Sequence, residues 1–173
     1  MSELFITSDQ HFGHWNICQL AGRPFSSVEE MNSELIRLWN ETVKPDDRVI
    51  HLGDFTLGGK KQFNSFRSQL NGEITWILGN HDAGASPGWI EFAITDHWKK
   101  RIGLIHDPYY IKHYDPYQVC DFYIHGHTHN REVSMHEMEK PMYCACVEKT
   151  KYKPVRIEEF IGRYKQFLKG GAH

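Results

Sequence analysis

Short apolar runs alternate with helical patterns along this chain. Leu4-Phe5-Ile6, Arg48 to Leu52, Ile74 to Leu78, Ile102 to Ile105 and Phe122-Tyr123-Ile124 are each a few residues long, β-branched or aromatic in character, and bounded by Gly, Asp, Asn or His. Such runs read as buried strands. Between the first two, Val28, Met31, Leu35, Leu38 and Thr42 share one stripe at the 3.6-residue period. The stripe predicts a helix from Val28 to Val43, with Ser26 or Ser27 as its cap and Glu29 or Glu30 three residues on to complete a capping box. Further helices are expected from Lys60 to Leu70 and from Ile157 to Leu168. Strands alternating with helices indicate an α/β architecture. Residues 131–147 read as antiparallel strands, and 83–98 and 107–119 as loops that could serve as lids.

A length of 173 residues suits one domain, spanning 1–173. At this size a core needs no disulfide staple. A composition of 40% hydrophobic and 13% aromatic residues excludes a disordered chain and a coiled-coil rod. No apolar run approaches the ~20 residues of a membrane span, and the start, MSELFITSDQ, has neither the basic nor the apolar region of a signal peptide. Cys18, Cys120, Cys144 and Cys146 form no secreted disulfide framework, so a cytoplasmic location is expected. Cys144 and Cys146 stand in an apolar alternation and read as packing residues. The formal charge is -2, and no basic block reads as a nucleic-acid stripe. A nucleic-acid substrate stays open, because a bound cation could hold its phosphate.

The chain carries 12 histidines, and their positions matter more than their number. Asp9-Gln10-His11 follows the first strand, Gly53-Asp54 the second, and Gly79-Asn80-His81-Asp82 the third. His106 follows the fourth and Gly126-His127-Thr128-His129 the fifth. Ligands in open α/β sheets bind beyond the carboxyl ends of strands, so these groups can meet in one crevice. In Asp9-x-His11 and His127-x-His129, extended backbone would turn both side chains to the same side. Mixed nitrogen and oxygen donors suit first-row metals such as Mn, Fe, Ni, Co or Zn. Seven donors, Asp9, His11, Asp54, Asn80, His106, His127 and His129, exceed the needs of one tetrahedral ion and fit two ions sharing a carboxylate. Each signal alone has an ordinary explanation, a turn or a capping carboxylate. The conjunction does not, since so many polar groups buried without a metal would be costly.

Together these motifs resemble those of the calcineurin-like metallophosphoesterases, in particular a small bacterial and phage branch that also carries Asp9-Gln10-His11-Phe12-Gly13-His14 and Arg23-Pro24-Phe25. The resemblance implies a four-layer α-β-β-α sandwich, two mixed β-sheets flanked by helices. It implies that Asp9, His11 and His129 hold one divalent ion, that Asn80, His106 and His127 hold a second, manganese being favoured, and that Asp54 bridges them. It further implies that His81 acts near the scissile phosphate, as a proton donor to the leaving oxygen, with Asp82 orienting it. The fourth histidine departs from the family's usual surroundings, standing in Ile105-His106-Asp107-Pro108, with His113 its nearest substitute.

The expected activity is hydrolysis of a phosphodiester or nucleotide-type substrate by a metal-bridging hydroxide. A phosphomonoesterase, a nucleotide pyrophosphatase or a non-catalytic scaffold on the same fold are the rivals. His14 and Arg23 are expected to contact the phosphate. His51 and His125 read as structural, and His97, His136 and His173 as surface residues. Trp89, Trp98, Tyr109, Tyr110, Tyr114 and Tyr117 fall in the two loop-like stretches, where they could stack on a base. The expected partner is thus a phosphoester, a nucleotide or a nucleic acid, with no membrane contact; the oligomeric state is not legible in the sequence.

Overall fold

Phe5 and Ile6 are consecutive on strand β1 (Leu4–Thr7), and both are buried, in different cores. That requires a sheet covered on both faces, since successive side chains in a strand point to opposite sides. The computed structural model, which describes residues 2–82, 90–132 and 140–170, has this arrangement. β1 pairs in parallel with β2 (Arg48–His51), and β2 in parallel with β3 (Glu73–Trp76). β8 (Val155–Arg156) runs antiparallel along the other edge of β1, giving the order β3-β2-β1-β8. The second sheet has the order β4-β5-β6-β7. In it β4 (Phe92–His97) is antiparallel to β5 (Lys100–Ile105), while β5, β6 (Phe122–His125) and β7 (Met142–Cys144) are parallel.

Ile6, Leu52 and Ile77 of the first sheet face Ile102, Leu104, Phe122 and Ile124 of the second, and this inter-sheet core also takes in Ile157, Phe160, Ile161 and Tyr164 of α5 (Ile157–Gly170). Each such aliphatic or aromatic side chain contributes about 1.5–3 kcal/mol on burial. The outer face of the first sheet, with Phe5 and Val49, is covered by α1 (Asn16–Leu20), α2 (Val28–Thr42) and α3 (Gly59–Arg67) through Ile17, Met31, Leu35, Trp39 and Phe63. The short α4 (Ile111–Tyr114) packs Ile111 on Ile105 and Tyr123 outside the second sheet. The expected two mixed sheets flanked by helices are therefore present. Among the described residues no helix is long and apolar enough to cross a membrane.

Local signals account for most elements. Ser27 Oγ caps α2 by accepting from Glu30 N–H at 3.1 Å, and the Glu30 carboxylate accepts from Ser26 N–H at 2.7 Å. The buried stripe of α2 is Met31, Leu35 and Trp39, with Leu38 only partly buried, and the Trp39 indole N–H donates to the Asn71 carbonyl at 3.0 Å. Three expectations are corrected. Residues 92–97 form a strand, not loop, hydrogen-bonded antiparallel to β5. Residues 108–114 are a 3₁₀ turn followed by α4. Met142–Cys144 pairs in parallel with β6, not antiparallel, so the chain between them crosses over instead of turning back. Trp89, His136 and His173 lie outside the described residues.

His51 is fully buried between Trp76 and Phe55, at ring distances of 5.0 and 5.3 Å. Its Nδ1 accepts from Gly53 N–H at 3.1 Å, so Nε2 carries the proton and donates to Gln10 Oε1. Burial pushes its pKa down to about 3, and that of buried His125 down to about 4. A neutral imidazole in the fold gives up stability in acid, because the unfolded chain binds the proton more tightly. The contribution is complete above the ordinary histidine value of 6.5 and is lost as pH falls through about 4 and then 3. Thermal melting should therefore drop progressively from pH 7 to pH 4, and His51→Gln should show a shallower decline; parallel curves would contradict this.

Candidate metal centre

β1, β2 and β3 run in the same direction, as do β5, β6 and β7, and a parallel bridge between Ser8 and Cys146 joins the two sheets at one end. All five chemistry-bearing loops therefore emerge on that side. Asp9, His11, Asp54, His127 and His129 have φ of 64°, 52°, 58°, 68° and 49°. Left-handed backbone is uncommon outside glycine and costs of order 1–3 kcal/mol per residue when strained. Five cases in one cluster mark a site for which the surrounding structure has been specified. They also correct the reason given for the D-x-H and H-x-H spacings. The side chains meet because the backbone coils there, not because it is extended.

Carboxylates lace these loops together. Asp9 accepts from His127 N–H through Oδ2 at 3.0 Å and Oδ1 at 3.2 Å, and Asp54 Oδ1 accepts from His81 N–H at 2.9 Å. The same carboxylates also face imidazoles. Asp9 Oδ1 lies 3.7 Å from His11 Nε2 and 3.6 Å from His129 Nε2. Asp54 Oδ2 lies 3.5 Å from His11 Nε2 and 3.4 Å from His106 Nε2. Asn80 Oδ1 is 2.9 Å from both His106 Nε2 and His127 Nδ1. With metal–ligand bonds of about 2.0–2.2 Å, neighbouring ligands around one ion lie roughly 2.8–3.6 Å apart, close to these separations. Asp9, His11 and His129 form one compact group, and Asp9, Asp54 and His106 another.

The donor set fits divalent cations on a second ground. Both ring nitrogens of His11 are buried without a hydrogen-bond partner among the described residues, an unfavourable state for polar atoms that coordination would relieve at Nε2, the nitrogen facing Asp9 and Asp54. The electrostatics agree. Burial alone would raise the Asp9 carboxyl, yet the His11, His106 and His129 imidazoles hold it well below the ordinary value. Burial would lower His106, but its bond to Asp54 and the charges of Asp9 and Asp54 push it up to about 9. Cation binding at His106 must therefore displace a proton.

Two glycines permit the close approach of these loops. A Cβ on Gly126 would lie 2.6 Å from Asp9 Oδ2, and one on Gly79 would lie 2.8 Å from Asp82 Oδ2 and collide with the Asp54 backbone nitrogen. His106 Nδ1 donates to the Leu52 carbonyl at 2.8 Å, which leaves Nε2 for the site. His106, not His113, thus stands among the donors.

His81 and His14 border the cleft beside His11, their rings 5.5 and 5.6 Å from its ring. Asp82 and Arg23 are placed differently from expectation. The Asp82 carboxylate accepts backbone N–H groups from Asp54 at 2.6 Å, Phe55 at 3.0 Å and Gly79 at 3.0 Å. It fastens the Asp54 loop, and among the described residues its partners are these backbone groups and not the His81 ring. Arg23 is fully buried, with no exposed side-chain surface, and donates to the Asp9 carbonyl at 2.7 Å, the Gln10 carbonyl at 2.8 Å and Glu148 at 2.7 Å. Every direction of its guanidinium is spent inside the protein, so it braces the Asp9 loop and does not face the phosphate.

Glu148 was not found from the sequence. Its carboxylate accepts from His129 Nδ1 at 3.1 Å as well as from Arg23, which fixes the His129 tautomer with Nε2 directed at Asp9. Burial would raise Glu148, but the His129 bond and Arg23 lower it. Glu148 stands in a single 3₁₀ turn, Val147–Lys149, 19 residues beyond His129, with no motif around it.

A cluster of carboxylates and imidazoles at the ends of parallel strands between two mixed sheets defines a metallophosphoesterase-like centre. Comparison with known proteins agrees: residues 3–146 match the calcineurin-like phosphoesterase superfamily domain, and the chain belongs to that superfamily of metal-dependent phosphoesterases. It is 35% identical over 168 residues to the uncharacterized protein MJ1445 of Methanocaldococcus jannaschii, covering 93% of this chain and 90% of that one. A shorter match, 36% over 85 residues, links it to the gene 66 protein of Mycobacterium phage L5, covering 47% of this chain and 41% of the phage protein. Among solved structures it resembles the Aquifex aeolicus protein AQ665, with a TM-score of 0.75 and 27% identity over 94% of this chain and 99% of that one.

Glu148→Ala should weaken cation binding at the Asp9, His11 and His129 group by roughly 10–100-fold in calorimetric titration, as loss of an outer-shell partner typically does. Glu148→Gln, which keeps an acceptor for His129, should lose less. Equal affinity in all three proteins would remove Glu148 from the site.

Proposed function

We propose that the chain is a two-metal phosphodiesterase acting on nucleotide-type substrates. The observation that carries this reading is the presence of space on two sides of the donor cluster. On one side a cavity of about 300 Å³ is lined by Asn80, His106, Leu78, Ile105, Tyr110 and Tyr114. On the other a cleft of about 440 Å³ is lined by His11, His14, Asp54, His81, His129 and Arg131. A phosphomonoester needs room for one substituent. A diester held at the cluster needs room for two, and the tyrosines beside Asn80 and His106 offer one of those substituents an aromatic wall.

Two divalent ions bound by Asp9, His11, Asp54, Asn80, His106, His127 and His129 would supply charge neutralisation at the phosphoryl group and a lowered pKa for water. Manganese suits the mixed nitrogen and oxygen donors. The chain's own residues do the rest. Asp54, with Oδ2 between His11 and His106, holds the two halves of the donor set in one frame. His81, at the exposed rim and tethered by its backbone N–H to Asp54, would give a proton to the departing oxygen. His14 stands beside it, its pKa lowered first by burial and then by the neighbouring imidazoles. A neutral His14 can accept a hydrogen bond from substrate or water.

The test is turnover of bis(p-nitrophenyl) phosphate against p-nitrophenyl phosphate by manganese-loaded protein. A higher kcat/KM for the diester is expected. Preference for the monoester would favour a phosphatase, and no turnover with any divalent metal would favour a scaffold. His81→Ala should retain its metal and lose about 10²–10⁴-fold in kcat, the usual worth of general acid catalysis. Asp54→Ala should lose more than one equivalent of metal; loss of a single ion would argue against a bridging role.

A further inference from the structure

Arg131 borders the cleft beside His11, His81 and His129, and also lines a neighbouring cavity of about 550 Å³. That second cavity contains Lys149 and Arg163, together with Tyr143 and a half-exposed Phe167. Lys149 and Arg163 in turn border a third hollow of about 500 Å³, which adds Lys151, Lys153 and Arg156. The hollows are contiguous because they share these residues. Their carboxylates are Glu132 in the second and Glu41 and Glu159 in the third, and Arg156 is paired with Glu3. Among the described residues, six cations against three lining carboxylates form a positive path on a chain whose formal charge is -2. No stretch of sequence shows it, because Arg131, the 149–156 segment and Arg163 come together only in the fold.

We propose that this path is the track of a single-stranded nucleic acid whose scissile phosphodiester lies at the metal centre. The inference rests on the phosphodiesterase reading and names its substrate as a polynucleotide. A positive groove that follows a phosphate backbone, interrupted by aromatic rings on which bases stack, is the recurring design of single-strand binding surfaces. Arg131 connects this groove to the cleft, so a strand engaged at the cluster continues onto Lys149 and Arg163. Phe167, on the exposed side of α5, supplies a stacking face. An anionic membrane is a poorer match, since a membrane-binding face carries apolar groups for insertion across a broad surface and not a succession of hollows.

The test uses manganese-loaded protein and competition against bis(p-nitrophenyl) phosphate. A single-stranded oligonucleotide of about twelve residues, within the usual site size, should compete at least about tenfold better than a dinucleotide. The variant Lys151→Glu/Lys153→Glu/Arg163→Glu, whose altered side chains are all exposed, should lose that advantage of length. Its logarithmic salt dependence should flatten by about 0.7 for each phosphate contact removed. Circular dichroism verifies that it folds. Competition independent of length, an unaltered variant, or equal competition by phosphatidylserine vesicles would overturn the proposal. If the small diester is not hydrolysed with any metal, the phosphodiesterase reading fails. Fluorescence anisotropy of the same oligonucleotide, wild type against the variant, then tests the track by itself: equal affinities would overturn it.

Discussion

The site depends on two buried carboxylates that each serve the backbone and the imidazoles together. Asp9 accepts the His127 backbone N–H on both oxygens, Oδ2 at 3.0 Å and Oδ1 at 3.2 Å, and presents Oδ1 to His11 and His129. Asp54 gives Oδ1 to the backbone of His81 and presents Oδ2 to His11 and His106. Each carboxylate is thus a structural clasp and a donor at once. A clasp alone could be replaced by any acceptor, and a donor alone would leave the loops free to separate. Combining the tasks ties the donor geometry to the junction of the sheets, because the His127 loop follows the second sheet and the Asp9 loop the first.

The surroundings follow from that arrangement. Bringing the loops within hydrogen-bond range of two carboxylates leaves no room for Cβ atoms at Gly79 and Gly126 and forces coiled backbone at five donors. Strain of this kind persists only where neighbouring structure over-determines it. Asp82 supplies part of that through three backbone N–H groups, and the buried Arg23–Glu148 pair supplies more from below, reaching the Asp9 and Gln10 carbonyls and His129. Breaking such a pair by removing one partner is costly because it strands the other charge in the interior. Arg23 therefore serves the centre without facing it.

The donors were legible in the sequence because each follows a strand directly, and a short apolar run ending in Gly-Asp or Gly-His is a local signal. α2 was legible for the same reason, its cap and stripe lying within one segment. What escaped depends on distance. Glu148 meets His129 and Arg23 from 19 and 125 residues away. The burial of Arg23 and the anchoring role of Asp82 are likewise set by partners in other segments, so their residue types suggested contact with substrate or with His81. β4 was read as loop because half of its side chains face outward on an edge strand, and the parallel pairing of β7 because pairing direction leaves no mark on an apolar run. The basic path was missed since its cations are gathered from three separate segments.

Under the proposed function these loops form one centre for two ions held by a shared frame. Manganese-loaded protein examined by electron paramagnetic resonance, with metal content measured on the same sample, tests it most directly. Two manganese ions per chain with an exchange-coupled spectrum are expected, since ions in such sites sit about 3.5–4 Å apart. One ion per chain, or two giving only the spectrum of isolated manganese, would contradict it.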